Sequence, residues 1–251
     1  MSAVLQAIRT ARGIVRSLYI YYGDRTRAAA MDRLYGRFVQ PGDIVFDIGA
    51  HVGDRIASFR RLGARVVAAE PQTAPVKVLK LLYGRSRNVT IEPVALGRGT
   101  GTVDIMINPG NPTVSTASHE MISAARNAPG WEVQRWSRMA RVPLTTLDSL
   151  IARHGVPIFV KIDVEGFEYE VLAGLSRPIK AISFEFTTIQ RDVAIACVER
   201  CIALGLKHFN AALGESQALM YLDWVSGADI TAWLTELPHA ANSGDIYAAL
   251  A

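Results

Sequence analysis

An apolar stretch that ends in an acid and two glycines constrains the fold of this chain more than any other feature. Residues 44–54, IVFDIGAHVGD, have the pattern of a buried strand followed by a turn that contains Gly49 and Gly53. Glycines let a ligand approach the backbone of such a turn, and the helix that follows offers unpaired N–H groups. The stretch therefore predicts an α/β sheet that binds a ligand at the carboxyl end of its first strand.

Strand and helix patterns alternate along the rest of the chain, as is typical of right-handed βαβ units. The alternation predicts a mostly parallel sheet with helices on both faces. Pro93 has no N–H to donate, so the third strand is expected to be an edge strand or a bulged one. The strands are predicted at residues 43–49, 64–70, 89–97, 158–163, 181–186, 207–213 and 243–250.

Length and charge indicate one domain with an N-terminal arm. The 251 residues, 50% of them hydrophobic, suffice for one large core, which we place at 38–251. The arm, 1–37, has seven arginines and two acids and therefore a net charge of +5. Since the whole chain has a net charge of +4, the body has a net charge of −1. No nucleic-acid-binding face is implied on the body. Within the domain, residues 98–140 contain one strand pattern, 103–108, and are expected to be an insertion that covers a site.

The arm is predicted to begin with an amphipathic helix within residues 1–22. We favour a helix that packs on the body as a lid or dimer contact, and a peripheral contact with an anionic membrane surface is the alternative. No segment has the roughly 18 uninterrupted apolar residues of a membrane span, so a cytoplasmic location is expected. The oligomeric state stays open. The apolar positions at helical spacing are Val4, Ile8, Ala11, Val15, Leu18 and Tyr22.

The residues around the glycine turn argue for S-adenosylmethionine rather than a dinucleotide. The pyrophosphate-binding pattern needs glycines at positions 49, 51 and 54, but the chain has His51 and Asp54 at the last two. Asp47 lies on the same strand face as Gly49, where an acid suits a ligand with a sulfonium and an amino group. Glu70 ends the second strand, where an acid accepts the two ribose hydroxyls. An adenosine with a cationic tail fits all of these positions.

Six motifs occur in one order over most of residues 40–186: FDIGAHVGD, VVAAEPQ, VALG, TTLDSL, KIDVEGFE and SFEF. Together they resemble the FkbM family of S-adenosylmethionine-dependent methyltransferases, and SGDIYA near the end resembles one branch of it. The resemblance implies a Rossmann-like class I methyltransferase fold, a seven-stranded sheet of order 3-2-1-4-5-7-6, and methyl transfer to a hydroxyl oxygen. The positions assigned to cofactor binding are Asp47, Gly49, Ala50, His51, Gly53, Glu70, Pro71, Val94, Ala95 and Asp163.

Two carboxylates at the end of the fourth strand are the first candidates for catalysis. Asp163 and Glu165 lie on one face, so we assign to them the roles of base and orienting acid. Their alternative role is to stabilise the first turn of the next helix, and we favour that role for Glu168. His51 is a third candidate base, with a structural role as its alternative.

Two other charged residues near this strand end need partners. Lys161 is expected to pair with Asp163 or Glu165. Glu185 lies inside an apolar strand, where an unpaired charge is costly, so it is expected to face the pocket or a buried partner.

Three functions remain open at this point. The first is an O-methyltransferase acting on a hydroxylated natural product, sugar or lipid. The second is a nicotinamide-dependent oxidoreductase, which His51 and Asp54 disfavour, and the third is a cofactor-binding partner protein without catalysis. We expect no structural metal, because two cysteines and five scattered histidines do not form a zinc site. A divalent ion held by Asp163 and a neighbouring carboxylate is an open variant of the first function.

Overall fold

The computed structural model describes residues 3–250, and describes side chains from Ile8 onward, so the side chain of Val4 lies outside the described residues. Two short 3-10 helices span Pro112–Val114 and His239–Ala241. The α-helices are α1 Ala3–Tyr22, α2 Arg25–Tyr35, α3 Asp54–Arg61, α4 Thr73–Tyr83, α5 His119–Ala125, α6 Leu147–His154, α7 Glu168–Ala173, α8 Arg191–Ala203 and α9 Gly227–Glu236. The strands are β1 Ile44–Ile48, β2 Arg65–Ala69, β3 Val89–Glu92, β4 Ala95–Leu96, β5 Gly101–Ile107, β6 Arg138–Thr145, β7 Phe159–Ile162, β8 Ala181–Thr187, β9 His208–Leu213 and β10 Ser243–Ala249.

The main sheet has seven strands in the order β3-β2-β1-β7-β8-β10-β9. All neighbours pair in parallel except β10, which is antiparallel to both β8 and β9. When the strands of this sheet are numbered among themselves, the order is 3-2-1-4-5-7-6. The predicted fold is therefore confirmed, and its order reverses between β1 and β7, where ligands bind in such sheets.

Helices cover both faces of this sheet and form two separate cores. On one face Phe46, Ile162 and Phe184 pack with residues of α6, α7, α8 and α9. On the other face Val45 and Phe159 pack with residues of α2, α3 and α4. The central strands are thus buried on both sides, which explains why they appear in the sequence as continuous apolar runs.

The predicted third strand at 89–97 is two strands in the structure. β3 ends at Glu92, immediately before Pro93, and lies at the edge of the main sheet, where the proline predicts it. A turn follows in which the Val94 N–H donates to the Glu92 carbonyl, and β4 then joins a second sheet of order β4-β6-β5. The proline lacks a donor for the ladder, so the chain leaves the main sheet at this point.

The segment 98–140 contains more regular structure than its sequence suggests. β5 covers the predicted strand at 103–108 up to Ile107, and it pairs antiparallel with β6, which the strand pattern did not show. Between them lie the first 3-10 helix and α5. Small and polar residues dominate this stretch, and Val142 is the one buried residue of β6, so no apolar run marks that strand.

Helix α1 packs on the body through a different face from the one its apolar pattern predicts. Gly13, Ile14 and Ser17 are buried, whereas Ile8 and Val15 are exposed. Position 13 has no side chain, so α1 approaches the first 3-10 helix closely; a Cβ there would lie 2.7 Å from a ring carbon of the proline that begins that helix. Small residues such as glycine and serine allow a helix to pack closely against its neighbour. Their low hydropathy gives no sign that this face is buried. Among the described residues, no helix is long and apolar enough to cross a membrane.

The ends of β1 and β7 meet at Gly49. The Asp163 N–H donates to the Ile48 carbonyl at 2.9 Å, and Gly49 follows with a φ of +86°. A Cβ at position 49 would overlap the carbonyl oxygen of Asp163. Only glycine permits both this φ and this approach, which brings two loops far apart in sequence into one place.

We expect Gly49→Ala to cost far more stability than Gly42→Ala. Both glycines have nearly the same φ, +86° and +89°, so both substitutions incur a left-handed penalty of about 1–2 kcal/mol. Nothing lies within 4 Å of a Cβ at position 42, whereas at position 49 the Asp163 carbonyl blocks it, adding at least about 3 kcal/mol. Urea denaturation measures both free energies of unfolding, and equal losses would contradict the close approach.

Candidate active site

A cavity opens at the carboxyl ends of β1, β2 and β7, at the position that the strand order predicts. Two of the residues assigned from sequence, Asp47 and Gly53, do not line it. Asp47 lies within β1 below the turn, and Gly53 precedes α3, where its carbonyl accepts the Tyr83 hydroxyl at 2.9 Å. The assigned residues that do line it are Gly49, Ala50, His51, Glu70, Pro71, Val94, Ala95, Asp163 and Glu165.

Glu70 lies at the end of β2 beside the glycine turn. Its two carboxylate oxygens accept the backbone N–H groups of His51 at 3.0 Å and Gln72 at 2.7 Å. Each oxygen keeps a second lone pair for a ligand hydroxyl. Burial raises the pKa of Glu70 to about 7. The carboxylate is held in a fixed orientation and fits a pair of ribose hydroxyls.

Asp47 is a fully buried acid beneath the turn. Among the described residues, neither of its carboxylate oxygens has a hydrogen-bond partner. Burial raises its pKa to about 7. An acid in this state is stabilised by a positive charge nearby, so a ligand with a cationic group above the turn would stabilise it, although Asp47 itself does not line the cavity.

The His51 side chain reaches the cavity from the turn, where its φ of +46° is unusual for a residue with a Cβ. Its ring packs edge-on against Tyr21 of α1, with the ring centroids 6.0 Å apart. Burial lowers the pKa of His51 to about 4, so the imidazole is neutral at pH 7. Its Nε2 has no hydrogen-bond partner in the described part of the chain. A neutral imidazole in this state offers one nitrogen that accepts a proton.

Three carboxylates converge in the cavity, two from the loop after β7 and one from β8. One oxygen each of Asp163, Glu165 and Glu185 lie within 4.8 Å of one another. Glu185 thus faces the pocket. Burial and the neighbouring carboxylates raise the pKa values of Glu165 and Glu185 well above their usual range. Burial acts on Asp163 as well, but Lys161 and Arg55 outweigh it and hold the pKa of Asp163 below its ordinary value.

Lys161 is the cation at the centre of this end of the sheet, and it is fully buried. Its ammonium group donates to Asp245 of β10 at 2.8 Å and to Asp163 at 3.3 Å. Pairing with Asp163 agrees with the sequence analysis, but the shorter bond goes to Asp245, which the sequence analysis did not assign. The signal for Asp245 is an acid inside the apolar strand pattern of SGDIYA.

The N-terminal arm forms one wall of the site through contacts that the sequence did not suggest. Arg27 of α2 bonds Asp54 of α3 at 2.9 Å and Glu215 after β9 at 2.7 Å. Arg55 contacts Asp163 at 3.4 Å. Tyr21, at the end of α1, lines the cavity directly. These pairs join residues up to 188 positions apart, so no local motif identifies them.

Glu168 has the helix-start role that the sequence favoured for it. Its carboxylate accepts the backbone N–H groups of Val164 at 3.0 Å and Gly166 at 3.2 Å. These bonds fix the loop that presents Asp163 and Glu165 to the cavity. Glu168 therefore acts on the site through the backbone.

Comparison with known proteins agrees with this geometry. The profile of the methyltransferase FkbM domain matches residues 47–239. No curated protein sequence matches the chain significantly. The family assignment rests on this profile match alone, because the solved structures below have low identities and TM-scores.

Three solved structures illustrate the likeness. A precorrin-6Y C5,15-methyltransferase from Geobacter metallireducens GS-15 is 14% identical, with 88% of this chain and 86% of that chain covered and a TM-score of 0.42. A TehB-like SAM-dependent methyltransferase from Corynebacterium glutamicum is 11% identical, with 88% and 86% covered and a TM-score of 0.43. The magnesium protoporphyrin IX methyltransferase of Synechocystis PCC 6803, with bound SAM, is 9% identical, with 95% and 84% covered and a TM-score of 0.44.

We expect Asp47→Asn to stabilise the ligand-free protein at pH 8 but not at pH 4. The unfolded chain releases the Asp47 proton near pH 4, whereas the folded protein keeps it up to about pH 7. The folded state thus binds more protons between these values, so stability falls as pH rises through this window and stays low above it. Asparagine keeps the shape without the charge and removes this loss, by about 1–3 kcal/mol at pH 8. Urea denaturation at both pH values measures the difference in free energy of unfolding between Asp47→Asn and the wild type. An equal difference at pH 4 and pH 8 would contradict the raised pKa of Asp47.

Proposed function

The chain belongs to the FkbM family of methyltransferases, and we propose that it transfers a methyl group to a hydroxyl oxygen of a natural product, sugar or lipid-type acceptor. One observation carries the choice of oxygen: the neutral imidazole of His51 faces the same cavity as Glu70. An alcohol must lose its proton when its oxygen is methylated, so the site needs a proton acceptor. A buried neutral histidine without a partner among the described residues supplies one.

The cofactor is S-adenosylmethionine, which supplies a methyl group activated by its sulfonium when it is bound. Glu70 is the residue that would accept the ribose hydroxyls, and Gly49 lines the same cavity. The Asp47 charge beneath the turn favours the cationic end of the ligand. Three further residues assigned to cofactor binding, Pro71, Val94 and Ala95, line the same cavity.

The structure supports His51 as the base, in preference to Asp163, which the sequence favoured. Lys161 and Arg55 both contact Oδ2 of Asp163, so that oxygen is already paired with two cations, whereas Nε2 of His51 has no partner among the described residues. Glu165 differs, since burial and the neighbouring carboxylates raise its pKa. His51 is the candidate that is both unprotonated and without a hydrogen bond to its Nε2 from the described residues.

Residues from the arm and the second sheet close the cavity over these groups. Tyr21 reaches it from α1, Ile105 from β5, and Thr113 and Ser115 from the segment between β5 and α5. Exclusion of water strengthens the electrostatic interactions inside and protects the activated methyl group from hydrolysis. Family membership argues against the nicotinamide-dependent alternative, and the partner-protein alternative predicts binding without transfer.

We expect His51→Asn to lower the turnover rate by about 10²- to 10⁴-fold, the usual contribution of a general base. Affinity for S-adenosylhomocysteine should change little, because the His51 backbone N–H still bonds Glu70. The measurement is single-turnover transfer of labelled methyl to a panel of hydroxylated acceptors, with product structure determined by NMR. His208→Gln, at an exposed position on β9, is the matched control and should keep the wild-type rate.

Two results would contradict this proposal. A product methylated at nitrogen, sulfur or carbon would exclude the hydroxyl acceptor. An unchanged rate in His51→Asn would remove His51 as the base.

A further inference from the structure

We propose that Asp163, Glu165 and Glu185 bind one divalent cation of the kind that prefers oxygen ligands, Mg²⁺, Mn²⁺ or Ca²⁺, and that this ion binds the acceptor hydroxyl. The three residues, named here the carboxylate triad, line the cavity that also contains His51 and Glu70. The inference rests on the proposed function, since the ion's role is defined by the methyl acceptor. It deepens that function by assigning an acceptor class.

The geometry of the carboxylate triad suits such an ion. The three oxygens lie within 4.8 Å of one another. A point equidistant from three oxygens at that spacing is about 2.8 Å from each, and Ca²⁺ takes carboxylate oxygens at about 2.3–2.6 Å and Mg²⁺ at about 2.0–2.1 Å. A small inward rotation of the side chains closes the difference. The ligand set contains no sulfur or nitrogen, which disfavours zinc and copper.

The second observation is that Glu165 is buried without a hydrogen-bond partner for its carboxylate, while Glu185 is half-buried and hydrogen-bonds Asp163. Glu165 is 6% exposed, and none of the described residues donates a hydrogen bond to its carboxylate, although its backbone carbonyl accepts the Thr116 hydroxyl. Oε2 of Glu185 is enclosed and has no partner within residues 3–250. An unpaired polar group in such a position is costly. Both side chains point into the carboxylate triad, where a cation would satisfy them.

Three other buried acids nearby, unlike Glu165, have hydrogen-bond donors for their carboxylates. Glu70 and Glu168 each accept two backbone N–H groups, and Asp245 accepts the Lys161 ammonium. The protein thus provides donors for the acids that hold its loops and provides none, among the described residues, for Glu165. This difference is expected where an external ligand completes the site.

The charges that the protein itself supplies do not neutralise the carboxylate triad. Arg55 and Lys161 both contact Oδ2 of Asp163, and the shorter bond of Lys161 goes to Asp245. In the described part of the chain, no lysine or arginine forms an ion pair with Glu165 or Glu185. At least two negative charges are therefore available for a divalent ion when these groups are ionised.

An ion held in this way would do two things for methyl transfer. It lowers the pKa of a hydroxyl that it binds, as zinc lowers that of water from 15.7 to about 7. The O–H proton then passes to His51, the oxygen electron pair forms the new O–CH₃ bond, and the S–CH₃ bond breaks so that sulfur leaves as a neutral thioether. Three protein oxygens also leave positions open on the ion, so an acceptor with a second oxygen beside its hydroxyl, such as a vicinal diol, would bind through both.

The test is titration of the chelator-treated full chain with MnCl₂, followed by the electron paramagnetic resonance signal of free Mn²⁺. We expect saturable binding of about one ion per chain, and at least a tenfold loss of affinity in Glu185→Gln. Glu215→Gln is the matched control, since Glu215 lines the same cavity but pairs with Arg27 and lies outside the carboxylate triad. Thermal unfolding of each variant shows that it is folded.

A reciprocal variant separates this inference from the proposed function. Glu70→Gln should weaken binding of S-adenosylhomocysteine and leave Mn²⁺ affinity unchanged, whereas Glu185→Gln should do the reverse. If the wild-type protein binds S-adenosylhomocysteine but shows no saturable Mn²⁺ binding, the ion site alone is overturned. The same holds if Glu185→Gln binds Mn²⁺ as tightly as the wild type does. Mn²⁺ binding by a protein that transfers no methyl group to any hydroxylated acceptor would overturn the proposed function and leave the ion site.

Discussion

The candidate site depends on one close contact, between the backbone of Gly49 and the carbonyl of Asp163. The two strands that end there are parallel neighbours, and a Cβ at position 49 would push them apart. Because Gly49 has no side chain, the glycine turn lies directly against the loop that carries Glu165. The residues proposed to bind the cofactor and the carboxylates therefore share one cavity, although more than a hundred positions separate Gly49 from Asp163 in the chain.

A row of buried polar residues crosses the main sheet below this contact. Asp47, Lys161, Ser183, Tyr247 and Asn210 are successive cross-strand neighbours, and each is fully buried. Such sheets normally carry apolar residues at these positions. Lys161 is the cation of the row, and its ammonium bonds Asp163, which follows its own strand, and Asp245 on β10. Loss of that cation would leave those acids buried and unpaired, which is costly.

The parts of this molecule that could be predicted are those fixed by neighbouring residues. Gly49 and Glu70 end strands in recognisable patterns, and Pro93 marks an edge because a missing N–H acts locally; the strand order itself came from the family resemblance. The Glu215 partner of Arg27 and the Asp245 partner of Lys161 could not be predicted, since 188 and 84 positions separate the members of these pairs. Packing of α1 was missed for another reason: its buried face contains glycine and serine, which hydropathy does not mark.

The two halves of the cavity differ in a way that bears on acceptor choice. The cofactor half comes from the ends of β1 and β2, where strand geometry limits the residues that fit. The other half comes from α1 and the segment between β5 and α5, which contribute Tyr21, Thr113 and Ser115. Connecting segments tolerate substitution and insertion better than central strands do. Acceptor specificity is therefore expected to reside in these covering segments, and the proposed ion on the carboxylate triad would fix where the reacting oxygen lies.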